Sequence, residues 1–88
     1  MDTIRFRFSL SVPRDAKYVP TVRRLAVQAA RYASCREADA ETFGGSVEKA
    51  MRLCLQEPSP ADDISVLVHR DAGPVEVRVN GHAVTVEP

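Results

Sequence analysis

From Thr3 to Val12 apolar and polar residues alternate. Ile4, Phe6, Phe8, Leu10 and Val12 fall on one side, and Thr3, Arg5, Arg7, Ser9 and Ser11 on the other. A period of two predicts a strand with one buried and one wet face. Pro13 stops it. Over Lys17 to Ser34 the period becomes helical, with Val22, Leu25, Ala26, Ala29 and Ala33 on one stripe and Arg23, Arg24, Gln28 and Arg31 off it. Pro20 is tolerated only in a first turn, where its missing N–H costs nothing, so this helix starts near Lys17 or Tyr18. A second helix is predicted from Glu37 to Gln56, with Phe43, Val47, Ala50, Met51 and Cys54 as its apolar stripe. Glu37, Asp39 and Glu41 lie near its positive N-terminal end, where acids are favoured. Gly44 and Gly45 interrupt the pattern at roughly 1 kcal/mol each relative to alanine. Either the helix breaks there or another backbone passes close.

Glu57-Pro58-Ser59-Pro60-Ala61-Asp62 reads as a linker, because its prolines end the helix. Ile64, Val66 and Val68 then alternate as a second strand, and Asp71-Ala72-Gly73-Pro74 is turn chemistry. Val75, Val77 and Val79 lead into Asn80-Gly81, followed by Val84 and Val86. Asn-Gly favours a type I′ hairpin loop. A two-residue loop pairs Val79 with His82, Val77 with Val84 and Val75 with Val86. Glu76 then opposes Thr85, and Arg78 opposes Ala83, on the other face.

The element order is therefore β-α-α-β-β-β. Every apolar stripe needs the same cover, and the economical arrangement is an α+β two-layer sandwich, two helices on one face of a four-stranded mixed sheet. Its expected core holds Phe6, Phe8, Val22, Leu25, Val47, Met51, Val66 and Val77.

Eighty-eight residues make one domain, spanning 1–88. A chain this short buries roughly 60–65% of its unfolded surface, so its stability margin is thin. Twelve basic residues balance twelve acidic ones, and a nucleic-acid binder shows a basic surplus instead. The basic residues crowd the first half, at Arg5, Arg7, Arg14, Lys17, Arg23, Arg24 and Arg31, which suits an acidic partner. No apolar run approaches the roughly 20 residues of a membrane span, and no h-region of a signal peptide opens the chain. Cys35 and Cys54 show neither metal-ligand spacing nor a CxxC pair and read as small packing residues. These features lead to an expectation of a cytoplasmic protein.

The stretch Ala16-Lys17-Tyr18-Val19-Pro20-Thr21-Val22-Arg23-Arg24-Leu25-Ala26-Val27 resembles the first helix of bacterial anti-sigma-factor serine kinases. Those proteins carry a similar tyrosine-valine pair, then an arginine near the helix start, after a strand like Phe6 to Val12. They belong to the histidine-kinase-type ATPase superfamily. The resemblance continues through a second helix, a proline-bearing loop and a hairpin. It covers nearly the whole chain but only the first part of the family's domain, and it implies a reduced version of that fold.

The departures from the family carry the chemistry. The resemblance implies a glutamate on the second helix that orients the attacking group, and an asparagine four residues later that holds magnesium. If Glu48 is that glutamate, the asparagine position is Arg52; aligned by apolar pattern, the two become Lys49 and Leu53. Neither alignment supplies the oxygen donor magnesium requires. The family's adenine-reading aspartate falls at Val79-Asn80-Gly81, which hairpin chemistry explains better. The chain ends seven residues after Gly81, before the family's lid and glycine-rich phosphate loop. No catalytic, metal or cofactor residue is expected, and millimolar Mg-ATP is expected not to bind. Among other candidates, His69 and His82 need a third ligand to hold zinc, and neither has a cysteine nearby in sequence. Ser46 has no base placed by the spacing. Asp62-Asp63 reads as loop solvation, and no Lys-Ser/Thr pair follows Gly44-Gly45 as in a phosphate loop.

The expectation is a degenerate, non-catalytic regulatory domain that binds another protein. The resemblance implies a sigma factor or its antagonist as partner, in a partner-switching system. The expected surface is Arg5, Arg7, Arg23, Arg24, Gln28 and Arg31, because arginine's planar fork meets carboxylates in two places while its stem buries apolar area. The alternatives are an ATP-binding kinase completed by further sequence or another chain, and a homodimeric accessory module. An exposed edge strand in so small a sheet invites pairing with a second copy.

Overall fold

A computed structural model describes residues 4–58 and 62–88. Thr3 of the expected first strand and Ser59–Ala61 of the expected linker lie outside them. Strand β1 spans Phe6–Pro13. A single turn of 3-10 helix at Ala16–Tyr18 leads into α1, Val19–Tyr32, and α2 spans Glu37–Gln56. Strands β2 (Asp63–Arg70), β3 (Val75–Val79) and β4 (His82–Val86) follow.

The four strands form one sheet in the order β1-β2-β3-β4, and all three pairings are antiparallel. The sheet is therefore not mixed as expected, and the reason lies in the connection. Two consecutive helices fold back on each other: Val27 of α1 lies against Gly44 of α2, and Arg23 reaches Glu48. An even number of helices returns the chain to the end of the sheet it left, so β2 runs opposite to its neighbour β1. A single crossover helix would have made the pair parallel. At that end Arg14 N–H donates to Asp62 O at 3.0 Å, extending the ladder beyond β1.

One sheet face carries Val12, Ile64, Val66, Val68, Val75, Val77 and Val79, all buried. The helices close over it with Val19, Val22, Ala26, Ala30, Phe43, Val47, Met51 and Cys54. The other face presents Arg7, Ser9, Ser11, Ser65, Arg78 and Thr85, all exposed. Val22, Val47, Met51, Val66 and Val77 occupy the core as expected, and Leu25 and Phe6 are half-buried at its margin. Phe8 is 41% exposed instead. The helical layer packs over β3 and β4, and β1, at the sheet edge, extends beyond its cover.

Helix α2 runs unbroken through Gly44 and Gly45. Gly44 is needed because α1 passes there: a Cβ would collide with Val27 Cγ2 and sit 3.3 Å from Arg23 Cγ. The hairpin has the expected register, Val79 with His82, Val77 with Val84 and Val75 with Val86. Its turn departs from type I′, because only Asn80, at φ 52°, adopts the left-handed region and Gly81 does not. Asn80 is anchored across the sheet: its N–H donates to Ser65 O at 2.9 Å, and its Oδ1 accepts from Ser65 N–H at 3.0 Å.

Helix α1 ends in a Schellman motif. Cys35 N–H donates to Ala30 O at 3.0 Å and Ser34 N–H to Arg31 O at 2.9 Å, with Ser34 in the left-handed region at φ 67°. Glycine is the usual residue there, because a Cβ meets the following carbonyl in that conformation. Ser34→Gly is expected to raise stability by about 0.5–1 kcal/mol, read as a higher denaturation midpoint at unchanged slope.

Candidate functional site

Strand β1 pairs with β2 on one side, and its other edge has no strand partner among the described residues. Its eight residues contain one charged side chain, Arg7, which points to the outer sheet face, and proline only at the last position. Natural edges are blunted by several charges or prolines, and a single charge leaves this one open to another strand. Beside it runs a groove of about 360 Å³ lined by Phe6 and Phe8 of β1 and by Leu25, Gln28, Ala29 and Tyr32 of α1. The helical spacing of Leu25, Ala29 and Tyr32 puts them on one stripe, and the small Ala29 leaves the hollow between its larger neighbours. Tyr32 stands edge-on to Phe6, with ring centroids 5.7 Å apart. Tyr32 remains 65% exposed and Phe8 41%. Two adjacent exposed aromatics beside unpaired backbone form a patch that water solvates poorly on both counts.

The six residues expected to form one basic surface divide between the two faces of the sandwich. Arg23, Arg24, Gln28 and Arg31 line a shallow polar depression on the helical side, with Glu41 and Glu48. Arg5 and Arg7 line a different one, with His69, Arg70 and Asp71. Several of these cations already have partners. Arg23 reaches Glu48 at 3.1 Å and Glu41 at 3.9 Å, Arg31 pairs with Glu37 and with Glu41 at 3.4 Å, and Arg5 lies 3.9 Å from Asp71. Among the described residues, Arg7 and Arg24 have no acidic side chain within ion-pair distance. Gln28 belongs both to the polar depression and to the apolar groove, so it forms the groove's polar rim on α1, with Arg24 one helical turn away in the depression.

Glu48, the residue one alignment sets in the place of a catalytic glutamate, is clamped. Its Oε1 accepts from Arg23 and its Oε2 from Arg52 at 3.2 Å. These hydrogen bonds, Arg23's first, hold its carboxyl below the usual carboxylate range. Both oxygens are committed and the affinity for a proton is reduced, the opposite of what a general base needs. On the outer sheet face, His69 opposes Glu76 in register and bonds to it, and Arg78 adds a contact at 3.4 Å. The His69 bond is the main cause of Glu76's lowered pKa. The three make a cross-strand polar ladder of ordinary structural kind. Asn80 spends its side-chain oxygen on Ser65, and Ser46 is exposed on α2.

No protein-family model, curated protein or solved structure matches this chain. Among the described residues, no helix is long and apolar enough to cross a membrane.

Sequence reasoning missed two features. The groove was invisible because Phe6 and Phe8 carry the pattern of buried residues; only the lateral position of β1 exposes them. The second is a meeting of His82 with Cys54 and Glu57. The Cys54-x-x-Glu57 pair at a helix end was a signal, but its third member arrives from the far hairpin.

Proposed function

We propose that this domain is a non-catalytic regulatory module of the cytoplasm that binds a protein partner along β1. The partner adds an extended strand to the β1 edge, sets an apolar side chain into the groove between Phe8 and Tyr32, and places acidic residues against Arg24 and Arg7. The observation that carries this reading is the coincidence of an edge strand without a strand partner among the described residues and an apolar groove beside it. Main-chain hydrogen bonds along such an edge supply affinity, and alternate side-chain pockets supply specificity. The class of partner, a sigma factor or its antagonist, rests on the resemblance of Tyr18-Val19 and Arg23 to the anti-sigma-factor kinases. In this fold Arg23 is tied to Glu48 and Glu41, so it acts inside the helix pair. Reversing Arg31 would break its pairs with Glu37 and Glu41 as well, which leaves Arg24 as the cleaner probe.

The test is co-purification from the native cell followed by titration of the recovered partner. Phe8→Asp is expected to weaken binding by more than about tenfold, and Arg24→Glu by more than about 1 kcal/mol with its melting temperature unchanged. Equal binding by the wild type and both variants would remove the groove from the interface. Self-association abolished by Phe8→Asp, seen by sedimentation, would make the partner a second copy of the chain instead.

A further inference from the structure

Three side chains with metal-binding donors converge at the end of the sandwich opposite the groove. Cys54 is in the last turn of α2, Glu57 is the residue that caps that helix, and His82 opens β4 directly after the hairpin turn. The Cys54 sulfur, a Glu57 carboxylate oxygen and a His82 ring nitrogen all lie within 4.8 Å of one another. We propose that Cys54, Glu57 and His82 form a binding site for a zinc-like divalent cation.

The geometry is near what the ion requires. Tetrahedral zinc holds its donors at roughly 2.0–2.3 Å, which sets them roughly 3.3–3.8 Å from one another. Glu57 Oε1 and His82 Nε2 are 2.6 Å apart and must separate by roughly 0.7 Å. Both side chains are free to do so, being 57% and 36% exposed, while buried Cys54 provides the fixed point. The backbone under the site is held in place. The Arg14 guanidinium donates to Cys54 O at 2.5 Å and to Glu57 O at 2.8 Å, and the Cys54 thiol donates to Val79 O at 3.3 Å. The Arg14 guanidinium already meets the negative end of the α2 dipole, so the attraction for a cation comes from the Cys54 and Glu57 donors themselves.

The donor chemistry selects the ion. A thiolate with an imidazole and a carboxylate suits zinc, whereas magnesium and calcium take oxygen donors. Thiolate and carboxylate together neutralise the ion's two charges. Binding exchanges the thiol proton, released to solvent, for the metal–sulfur bond. Three protein ligands, buried Cys54 with the exposed Glu57 and half-exposed His82, leave the fourth position on the outer side to water or to a group on another molecule. The rival use of these residues, a cysteine nucleophile with a histidine base, lacks its essential contact. The thiol's hydrogen bond goes to Val79 O, and His82 Nε2 faces Glu57, so no base is set on the sulfur. The site stands independently of the groove, which lies at the Phe6 end of β1.

The experiment is titration of the reduced chain with cobalt(II), the spectroscopic stand-in for zinc, followed by displacement with zinc and calorimetry. One equivalent should bind with a thiolate-to-cobalt charge-transfer band and tetrahedral visible bands. Cys54→Ala should lose the thiolate band, and Cys35→Ser should keep it. His82→Gln and Glu57→Gln, both at the surface and harmless to folding, should each weaken zinc binding by at least about tenfold. Absence of a thiolate band at about 1 mM cobalt, a metal affinity of only about −4 kcal/mol, overturns the proposal. So does a band that persists in Cys54→Ala, or zinc affinity unchanged in His82→Gln.

Discussion

Alanine at Gly44 is expected to destabilise the domain by about 2 kcal/mol, and alanine one residue later, at Gly45, to stabilise it by about 0.5–1 kcal/mol. Both glycines lie inside α2, so helix propensity favours alanine at each. At Gly45 nothing lies within 4 Å of the added methyl group, and the propensity gain stands alone. At Gly44 the methyl would overlap Val27 Cγ2, with Arg23 Cγ at 3.3 Å and the Arg23 carbonyl oxygen at 3.5 Å behind it. Val27 cannot swing aside: it is buried, and a β-branched side chain in a helix has essentially one rotamer. The two helices must move apart, and with them the layer that covers the sheet. Denaturant unfolding of the two single variants should therefore give shifts of opposite sign. Shortening the obstacle should recover part of the loss. Gly44→Ala combined with Val27→Ala should show a coupling of at least about 1 kcal/mol relative to the sum of the singles. A stabilised Gly44→Ala would mean that the helices do not approach as closely as described.

Replacing Arg14 by methionine is expected to lower stability by about 2 kcal/mol, although Arg14 lies in no secondary-structure element and is only partly buried. The last carbonyls of a helix are short of donors: in α2 Glu57 N–H reaches Leu53 O at 3.2 Å and Cys54 O at 3.3 Å, and no lysine or arginine of the last turn adds a further donor. Arg14 supplies it from the far side of the chain, donating to Cys54 O and Glu57 O while its own N–H continues the ladder to Asp62 O. Hydrogen bonds from a charged donor are worth roughly 1.5–3 kcal/mol. Methionine keeps the apolar stem, so the measured loss reports on the guanidinium. Both bonds come from the single nitrogen Nη2, so Arg14→Lys should recover part of the loss, to the extent that its shorter side chain carries the ammonium to that point. An unchanged midpoint for Arg14→Met would assign the capping of α2 to the Glu57 N–H and water. Comparing Arg14→Met with Arg24→Glu provides an internal control, since the latter, exposed and without an acidic partner, should leave stability within about 0.5 kcal/mol.

Periodicity settled the elements. Period two set β1, β2 and the hairpin, and the apolar stripes of α1 and α2 identified the faces that became the core. The hairpin register was legible residue by residue, because a two-residue loop leaves only one register that keeps Val75, Val77, Val84 and Val86 on one side. These features depend on neighbours along the chain, and local sequence carries them. Other features depend on what arrives from elsewhere. The antiparallel pairing of β1 with β2 follows from the return of the helix pair. Gly44 and Gly45 look alike in sequence, and only the passage of α1 over one of them tells them apart. The arginines of the first half read as one basic face, yet the sandwich sends Arg7 to the sheet side and Arg24 to the helix side, and gives Arg23 and Arg31 acidic partners from α2. Phe8 has the pattern of a core residue and stands at the surface, because alternation specifies which face of a strand a side chain occupies but not whether the helical layer extends over that strand. Cys54, Glu57 and His82 meet for the same reason that they could not be read together. Their distance is set by the docking of α2 against the hairpin, a long-range packing contact between buried faces that no spacing along the chain encodes.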